Sequence, residues 1–199
     1  MSNEISKLAE KRRSIYSLGR TEVLPEKEII KLVEHSVKYC PSAFNSQSAR
    51  VVILFGEESQ KLWRIVMETL RHIVPADKFA PTEAKINSFA AGYGTLLFFE
   101  EDKTITELQE KFPSYADRFP LWSEQSSGML QYLIWLSLAD KEVGASLQHY
   151  NPLIDDEVKS TWQLPDSWRL ISQMPFGSIM APAEDKTFLP LPERVKVFS

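Results

Sequence analysis

The sequence is poor in the features that would make its chemistry easy to place. It has one cysteine, Cys40, among 199 residues. No disulfide can form within the chain, and a lone thiol fits a reducing cytoplasm. There is no basic excess: 23 Lys and Arg stand against 27 Asp and Glu, a net charge of −4. A dedicated nucleic-acid binder carries the opposite balance. No apolar run reaches the ~20 residues of a membrane span, and the opening MSNEISKLAEKRRS lacks the apolar core of a signal peptide. The expectation is a cytoplasmic protein with neither nucleic-acid nor membrane partner. Seven glycines and twelve prolines are scattered rather than clustered, and neither a repeat nor a long linker divides the chain. Residues 1–199 are expected to form a single domain. At this length a chain buries roughly 70% of its unfolded surface, so no metal or disulfide staple is needed.

Familiar catalytic signatures are missing too. Gly92-Tyr93-Gly94 lacks the third glycine of a dinucleotide fingerprint and precedes a strand instead of opening a helix. There is no phosphate-binding GxxxxGK[ST] loop and no GxSxG nucleophile elbow. His35, His72 and His149 are scattered, with no Cys or carboxylate at metal-ligand spacing, so no metal site is expected. Cys40, at a helix end, reads either as a nucleophile or as a small core residue. An enzyme with so little side-chain chemistry of its own points to a cofactor that carries the reaction.

What the sequence does have is apolar patterning and aromatic residues. A helix over about residues 2–14 ends in Lys11-Arg12-Arg13. Pro25 suits a first helical turn, and Ile29, Ile30, Val33 and Val37 then share one face. The polar stretch 40–47 breaks that helix before a β-branched strand over 50–55, which Gly56 closes. Helical spacing resumes from Ser59 to Val74 and again from Thr82 to Ala91, followed by a strand over 95–99. Thr104 and Glu107 form a capping-box pair. From Ser123 to Asp140 the helix is apolar nearly all round, so it is buried on several sides or lies at a subunit interface. Residues 144–150 read as extended or loop, 152–162 as a helix, and 169–173 and 194–198 as strands. Strands and helices do not alternate regularly, which gives an α+β reading. Five Trp, six Tyr and eleven Phe suit a flat ligand or a large core equally well.

Four segments, in this order, carry a family resemblance: Arg12-Arg13-Ser14; Pro41-Ser42-Ala43-Phe44-Asn45-Ser46-Gln47 before a strand; Gly144-Ala145-Ser146-Leu147-Gln148-His149-Tyr150-Asn151-Pro152 after the long apolar helix; and Leu191-Pro192-Glu193-Arg194-Val195-Lys196 at the end. Together they resemble the nitroreductase family of FMN flavoproteins. The closest likeness is to its compact branch of bacteria and fungi, whose members are described as nitroreductase-like or lipid-signalling-related.

The resemblance implies roles for particular residues. Arg12 and Arg194 would converge on the FMN phosphate, with Arg13, Ser14 and Lys196 beside them, because guanidinium grips phosphate through several charge-assisted hydrogen bonds. Ser42, Ala43, Asn45 and Gln47 would lie along the ribityl chain and pyrimidine edge, where amides offer both donors and acceptors. Lys85 would be the cation near flavin N1 and O2. His149, Tyr150 and Asn151 would flank the ring and present a backbone N–H toward N5. Larger relatives carry a different sequence there, so which amide faces N5 stays open. Tyr16 stands where many relatives have a basic residue. Phe44, Trp122 and Tyr150 are candidates for shaping the acceptor pocket.

The implied fold is an α+β sandwich, a central mostly antiparallel sheet flanked by helices, in an intertwined homodimer with FMN at the interface. The implied activity is ping-pong hydride transfer from NADH or NADPH to nitroaromatic or quinone-type acceptors. No side chain is expected to be catalytic, since flavin N5 carries the hydride. An FMN-binding regulatory or lipid-signalling protein with little turnover is the alternative.

Overall fold

The computed structural model describes residues 3–198. Its sheet is built from β1 (Leu18–Gly19), β2 (Ala49–Phe55), β3 (Gly94–Glu101), β4 (Gly144–Ala145) and β5 (Trp168–Ile179). The strand order is β1-β5-β3-β2, with β4 also on β5, and every pairing is antiparallel. Eight α-helices are found among the described residues: α1 (Glu4–Lys11), α2 (Glu26–Tyr39), α3 (Gly56–Arg71), α4 (Ala80–Ala90), α5 (Asp102–Lys111), α6 (Phe119–Asp140), α7 (Asp155–Thr161) and α8 (Leu191–Arg194). The expected α+β sandwich is the fold observed.

β3 explains the layering. Successive side chains of a strand point to opposite faces, and both faces of β3 are covered. Leu97 and Phe99 pack with Leu62, Trp63 and Val66 of α3 and with Ile86 and Phe89 of α4. Leu96 and Phe98 pack with Ile29 and Val33 of α2 and with Leu130, Ile134 and Leu138 of α6. A strand buried on both sides reads as a continuous apolar run, which Thr95-Leu96-Leu97-Phe98-Phe99 is. One polar residue in the first cluster is fully provided for: Thr95 Oγ1 lies 2.7 Å from Ser59 Oγ and accepts from Trp63 Nε1 at 2.9 Å.

Several boundaries differ from the sequence reading, each for a local reason. The first helix stops at Lys11, and Arg12 caps it with extended backbone. Pro25 precedes α2 as its N-cap. Gly56 begins α3 at φ +50, a left-handed conformation open to glycine, so the strand turns into the helix with no loop. α5 starts at Asp102, because Glu101 accepts from the Lys103 N–H and takes over the capping assigned to Thr104. α6 starts one turn early, at Phe119. β5 runs on to Ile179 through Pro175 and Gly177, two residues that mask a strand in sequence. A Cβ on Gly177 would lie 2.3 Å from the Gly19 carbonyl, so only glycine allows β1 to approach β5 there.

The tail is the largest correction. Arg194 closes α8 and residues 195–198 have no regular structure, so the strand expected over 194–198 is absent among the described residues. Phe188, Val197 and Phe198 stand 74%, 84% and 94% exposed. α6 likewise buries one face only: Met129 and Tyr132 on its other side are open. Among the described residues no helix is long and apolar enough to cross a membrane.

Candidate functional site

The N-terminal arginines sit where α1 ends against α6. The Arg12 guanidinium lies 4.3 Å from the Trp135 ring centroid and 6.0 Å from that of Tyr132. An aromatic face holds a cation by its quadrupole without consuming its N–H donors. The Arg12 Nε is buried and has no hydrogen-bond partner. Arg13 donates to the Glu184 carbonyl. With Ser14 and Tyr16, these arginines line one wall of a groove of about 560 Å³, and Pro182–Lys186 forms the other. Ser14 is fixed by an isolated parallel bridge to Ala145, with the Ile15 N–H bonding the Ala145 carbonyl at 2.9 Å.

Among the described residues, the 42–47 turn gathers three of the five non-glycine residues with positive φ. Phe44, Asn45 and Gln47 all have positive φ, at 55°, 52° and 48°. Such residues persist only where the surroundings over-determine them, and they concentrate at functional sites. The Ser42 hydroxyl accepts from the Gln47 N–H at 3.0 Å, and the Ser42 carbonyl from the Asn45 N–H at 3.0 Å. The Ala43 N–H reaches Ser126 Oγ on α6 at 3.4 Å. Phe44 stacks on Trp122 at 5.8 Å and 18°, with Phe112 and Phe119 at 5.0 and 5.2 Å. The turn thereby leaves the Asn45 and Gln47 side chains exposed.

The third segment is pinned by Gln173, a fully buried residue of β5. Its backbone exchanges hydrogen bonds with Gln148 at 2.7 and 2.9 Å, and its Oε1 accepts from the Tyr150 N–H at 2.8 Å. The amides of Gln148 and Tyr150 are thus committed to β5, while His149 between them is exposed. Tyr150 packs edge-on to Trp63 at 6.0 Å, and burial pushes its phenol up to about 12. Asn151 Oδ1 is buried without a partner. Lys85 is exposed on α4, four residues before Phe89, whose ring lies 6.4 Å from Tyr16.

One chain does not gather all these residues. Arg12 and the 42–47 turn both lean on α6, but Trp135 follows Ser126 by nine residues, roughly 14 Å along the axis. None of Ser42–Gln47, His149–Asn151, Arg194 and Lys196 lines the Arg12 groove. Arg194 and Lys196 stand exposed in the tail.

A model of the nitroreductase family matches residues 9–178. The chain belongs to the nitroreductase family. It is 36% identical over 181 residues to HBN1 of Saccharomyces cerevisiae, whose name places it among the nitroreductases, with 89% of each chain covered. The nitroreductase CinD from Lactococcus lactis, solved in complex with chloramphenicol, superposes with a TM-score of 0.91 at 45% identity, covering 98% of this chain and all of that one. A second CinD structure, with 4-nitrophenol, gives a TM-score of 0.90 at 46% identity over the same shares.

Three structural features of this family member escaped sequence reading. Trp135 and Tyr132 carry Arg12, though their i, i+3 spacing on α6 was a usable signal. Gln173 lay inside an apparent strand with nothing to mark its buried amide. The ring cluster around Phe44 draws on Phe112 and Phe119, which the apolar pattern assigned no role. Among the described residues no three His, Cys, Asp or Glu side chains are placed to hold a metal ion.

Proposed function

We propose that this chain is an FMN-dependent oxidoreductase that takes electrons from NADH or NADPH and reduces nitroaromatic or quinone-type acceptors. The observation that carries the reading is Arg12: a guanidinium held over the Trp135 ring, with a buried unpartnered donor, on the wall of an open groove. A buried N–H left empty is uncommon, and a phosphate supplies the acceptors it lacks.

The residues present fit FMN. Arg12, Arg13 and Ser14 would take the phosphate, with Arg194 and Lys196 reaching it from the tail. Ser42, Ala43, Asn45 and Gln47 would bind the ribityl and pyrimidine groups, Lys85 would face N1 and O2, and His149–Asn151 would flank the ring. When bound, FMN supplies a two-electron centre that accepts hydride from one substrate and passes it to the next. The chain's own part is to orient donor and acceptor against that centre and to shape the cleft through Phe44, Trp122 and Tyr150. The chloramphenicol and 4-nitrophenol held by CinD support nitroaromatic compounds as the acceptor class.

We further propose that residues 1–199 act as one domain within a homodimer. The residues assigned to the flavin do not all line one groove of this chain, and the apolar tail and outer face of α6 are uncovered. A second copy covers the apolar surface and completes the site. The protein should sediment near twice 22.8 kDa and keep its flavin only in that state.

The test is direct. Purified protein should be yellow and should bleach with NADH or NADPH in the absence of air. A yellow protein that neither donor bleaches would favour a binding or regulatory role, and a colourless protein that cannot be reloaded with FMN would refute the proposal. Arg12→Ala should weaken FMN binding roughly tenfold to a hundredfold, about 1.5–3 kcal/mol, and leave riboflavin, which has no phosphate, nearly unaffected. Arg194→Ala should do the same, and the double variant should fall short of the sum because both act on one group.

A further inference from the structure

The segment after the long helix meets β5 at Gln148, and that contact sets which of its N–H groups stay free. Gln148 and Gln173 form a hydrogen-bonded antiparallel pair, each N–H meeting the other's carbonyl, at 2.7 and 2.9 Å. A residue paired in that way turns both of its backbone groups to the partner strand, so the next residue turns both of its own to the opposite edge. The His149 N–H therefore points away from β5, and no backbone carbonyl among the described residues accepts it. His149 itself is exposed.

The Tyr150 N–H points to β5 again, where the next bond of a regular ladder would run to the Ile171 carbonyl. β5 is irregular at that point: Phe98 of β3 pairs with Ser172 and Phe99 with Leu170, so Ile171 has no register partner. A bulge leaves its extra residue unpaired and disrupts the ladder locally. The Gln173 side chain takes the place of the lost acceptor, its Oε1 receiving the Tyr150 N–H at 2.8 Å. Without that side chain the Tyr150 N–H would be as free as that of His149.

The surroundings fix Gln173 in this arrangement. It is fully buried and shares a face of the sheet with its register partner Leu97, in the layer of Trp63. Tyr150 packs on the same Trp63. Of the two ends of an amide only the oxygen accepts, so the Tyr150 N–H dictates which way the Gln173 amide faces. Its Nε2 is then left buried without a partner. A buried amide with one end unused is costly, and packing alone would be met by an apolar side chain. The bond to Tyr150 is what the amide adds.

We propose that Gln173 is a positioning residue for the flavin: by holding the Tyr150 N–H it fixes the strand-like course of residues 148–150 and makes the His149 N–H the amide presented to N5. Tyr150 is excluded as that donor, because its N–H is already bonded inside the chain. The assignment of the His149 amide to N5 rests on the flavin reading above; the hold of Gln173 on Tyr150 does not.

The experiment compares wild type, Gln173→Met and Gln173→Glu by amide hydrogen exchange of residues 148–151, without flavin and with saturating FMN. Methionine is a flexible apolar replacement without the amide acceptor, whereas glutamate keeps an accepting oxygen in either protonation state. In wild type without FMN, the Tyr150 amide should be protected and that of His149 unprotected. FMN should slow His149 about tenfold or more and leave Tyr150 as it was. Gln173→Met should lose about tenfold of the Tyr150 protection and of the FMN-dependent His149 protection, with residues 96–98 of β3 unchanged. Gln173→Glu should restore both. FMN protection that falls on Tyr150 or Asn151 in place of His149 would overturn the proposal, and wild type alone decides this even if a variant does not fold. Undiminished Tyr150 protection in Gln173→Met would overturn it as well. If no protein bound FMN while Tyr150 protection was lost in Gln173→Met and regained in Gln173→Glu, the flavin reading would fail and the hold of Gln173 on Tyr150 would stand.

Discussion

The two ends of β3 treat a buried polar residue in opposite ways. Thr95 is enclosed between β3 and α3 with a hydroxyl on one side and an indole N–H on the other. Glu100, five residues along and just as buried, has neither oxygen bonded. A satisfied buried group fixes one arrangement, and an unsatisfied one leaves an energetic imbalance that a small change can tip. The balanced end faces a purely structural helix pair, and the unbalanced end faces the turn assigned to the flavin. Within one strand, the polar group left unpaired is the one beside the candidate site.

The largest expected effect tests the unbalanced end. The folded-state pKa of Glu100 is raised, from 4.5 to about 7, so folding favours the protonated acid. The resulting penalty is absent below about pH 4.5, grows as pH rises toward 7, and is constant above. Stability curves of wild type and Glu100→Gln should diverge across that window by on the order of 3 kcal/mol, at 1.36 kcal/mol per unit. Parallel curves from urea melts at pH 4.5 and 8 would remove the contrast between the two ends. At the balanced end, Thr95→Val keeps the shape but strands the Trp63 N–H and the Ser59 hydroxyl. It should cost about 1–3 kcal/mol, equally at both pH values. The smallest effect should come from Ser59→Ala, about 1 kcal/mol, since Trp63 keeps Thr95 as its acceptor. A pH-dependent loss in either of these two variants would show that the ends are not independent.

Much of this was legible in the residues. The apolar run of β3, the one-faced spacing of α2 and the order of the four family segments led to the fold and the family. The strain in the 42–47 turn was only partly legible: Asn45 is a residue type that accepts left-handed backbone, but Phe44 and Gln47 give no hint of their positive φ angles. Glu100 was invisible for another reason: at the end of an apolar run followed by Glu101 and Asp102, it reads as the first residue of a charged boundary. Only the packing of α6 over it reveals that burial continues one residue further than the hydrophobicity does. Pro175 and Gly177 hid the second half of β5, since strand patterning weakens at both. The tail illustrates the converse: its alternation is a property of the sequence, but a strand needs a neighbour, and none is found among the described residues.

The loopless junction at Gly56 makes α3 a lever fixed to the sheet. With no slack between Phe55 and the first helical turn, the rotation of that sixteen-residue helix is inherited from the register of β2. One residue inserted there would turn the helix by about 100°, swinging Leu62, Trp63 and Val66 off the sheet together. Tolerance to length change at a connection in this molecule is therefore a matter of what is rigidly geared to it, and at Gly56 a third of one core turns with the joint.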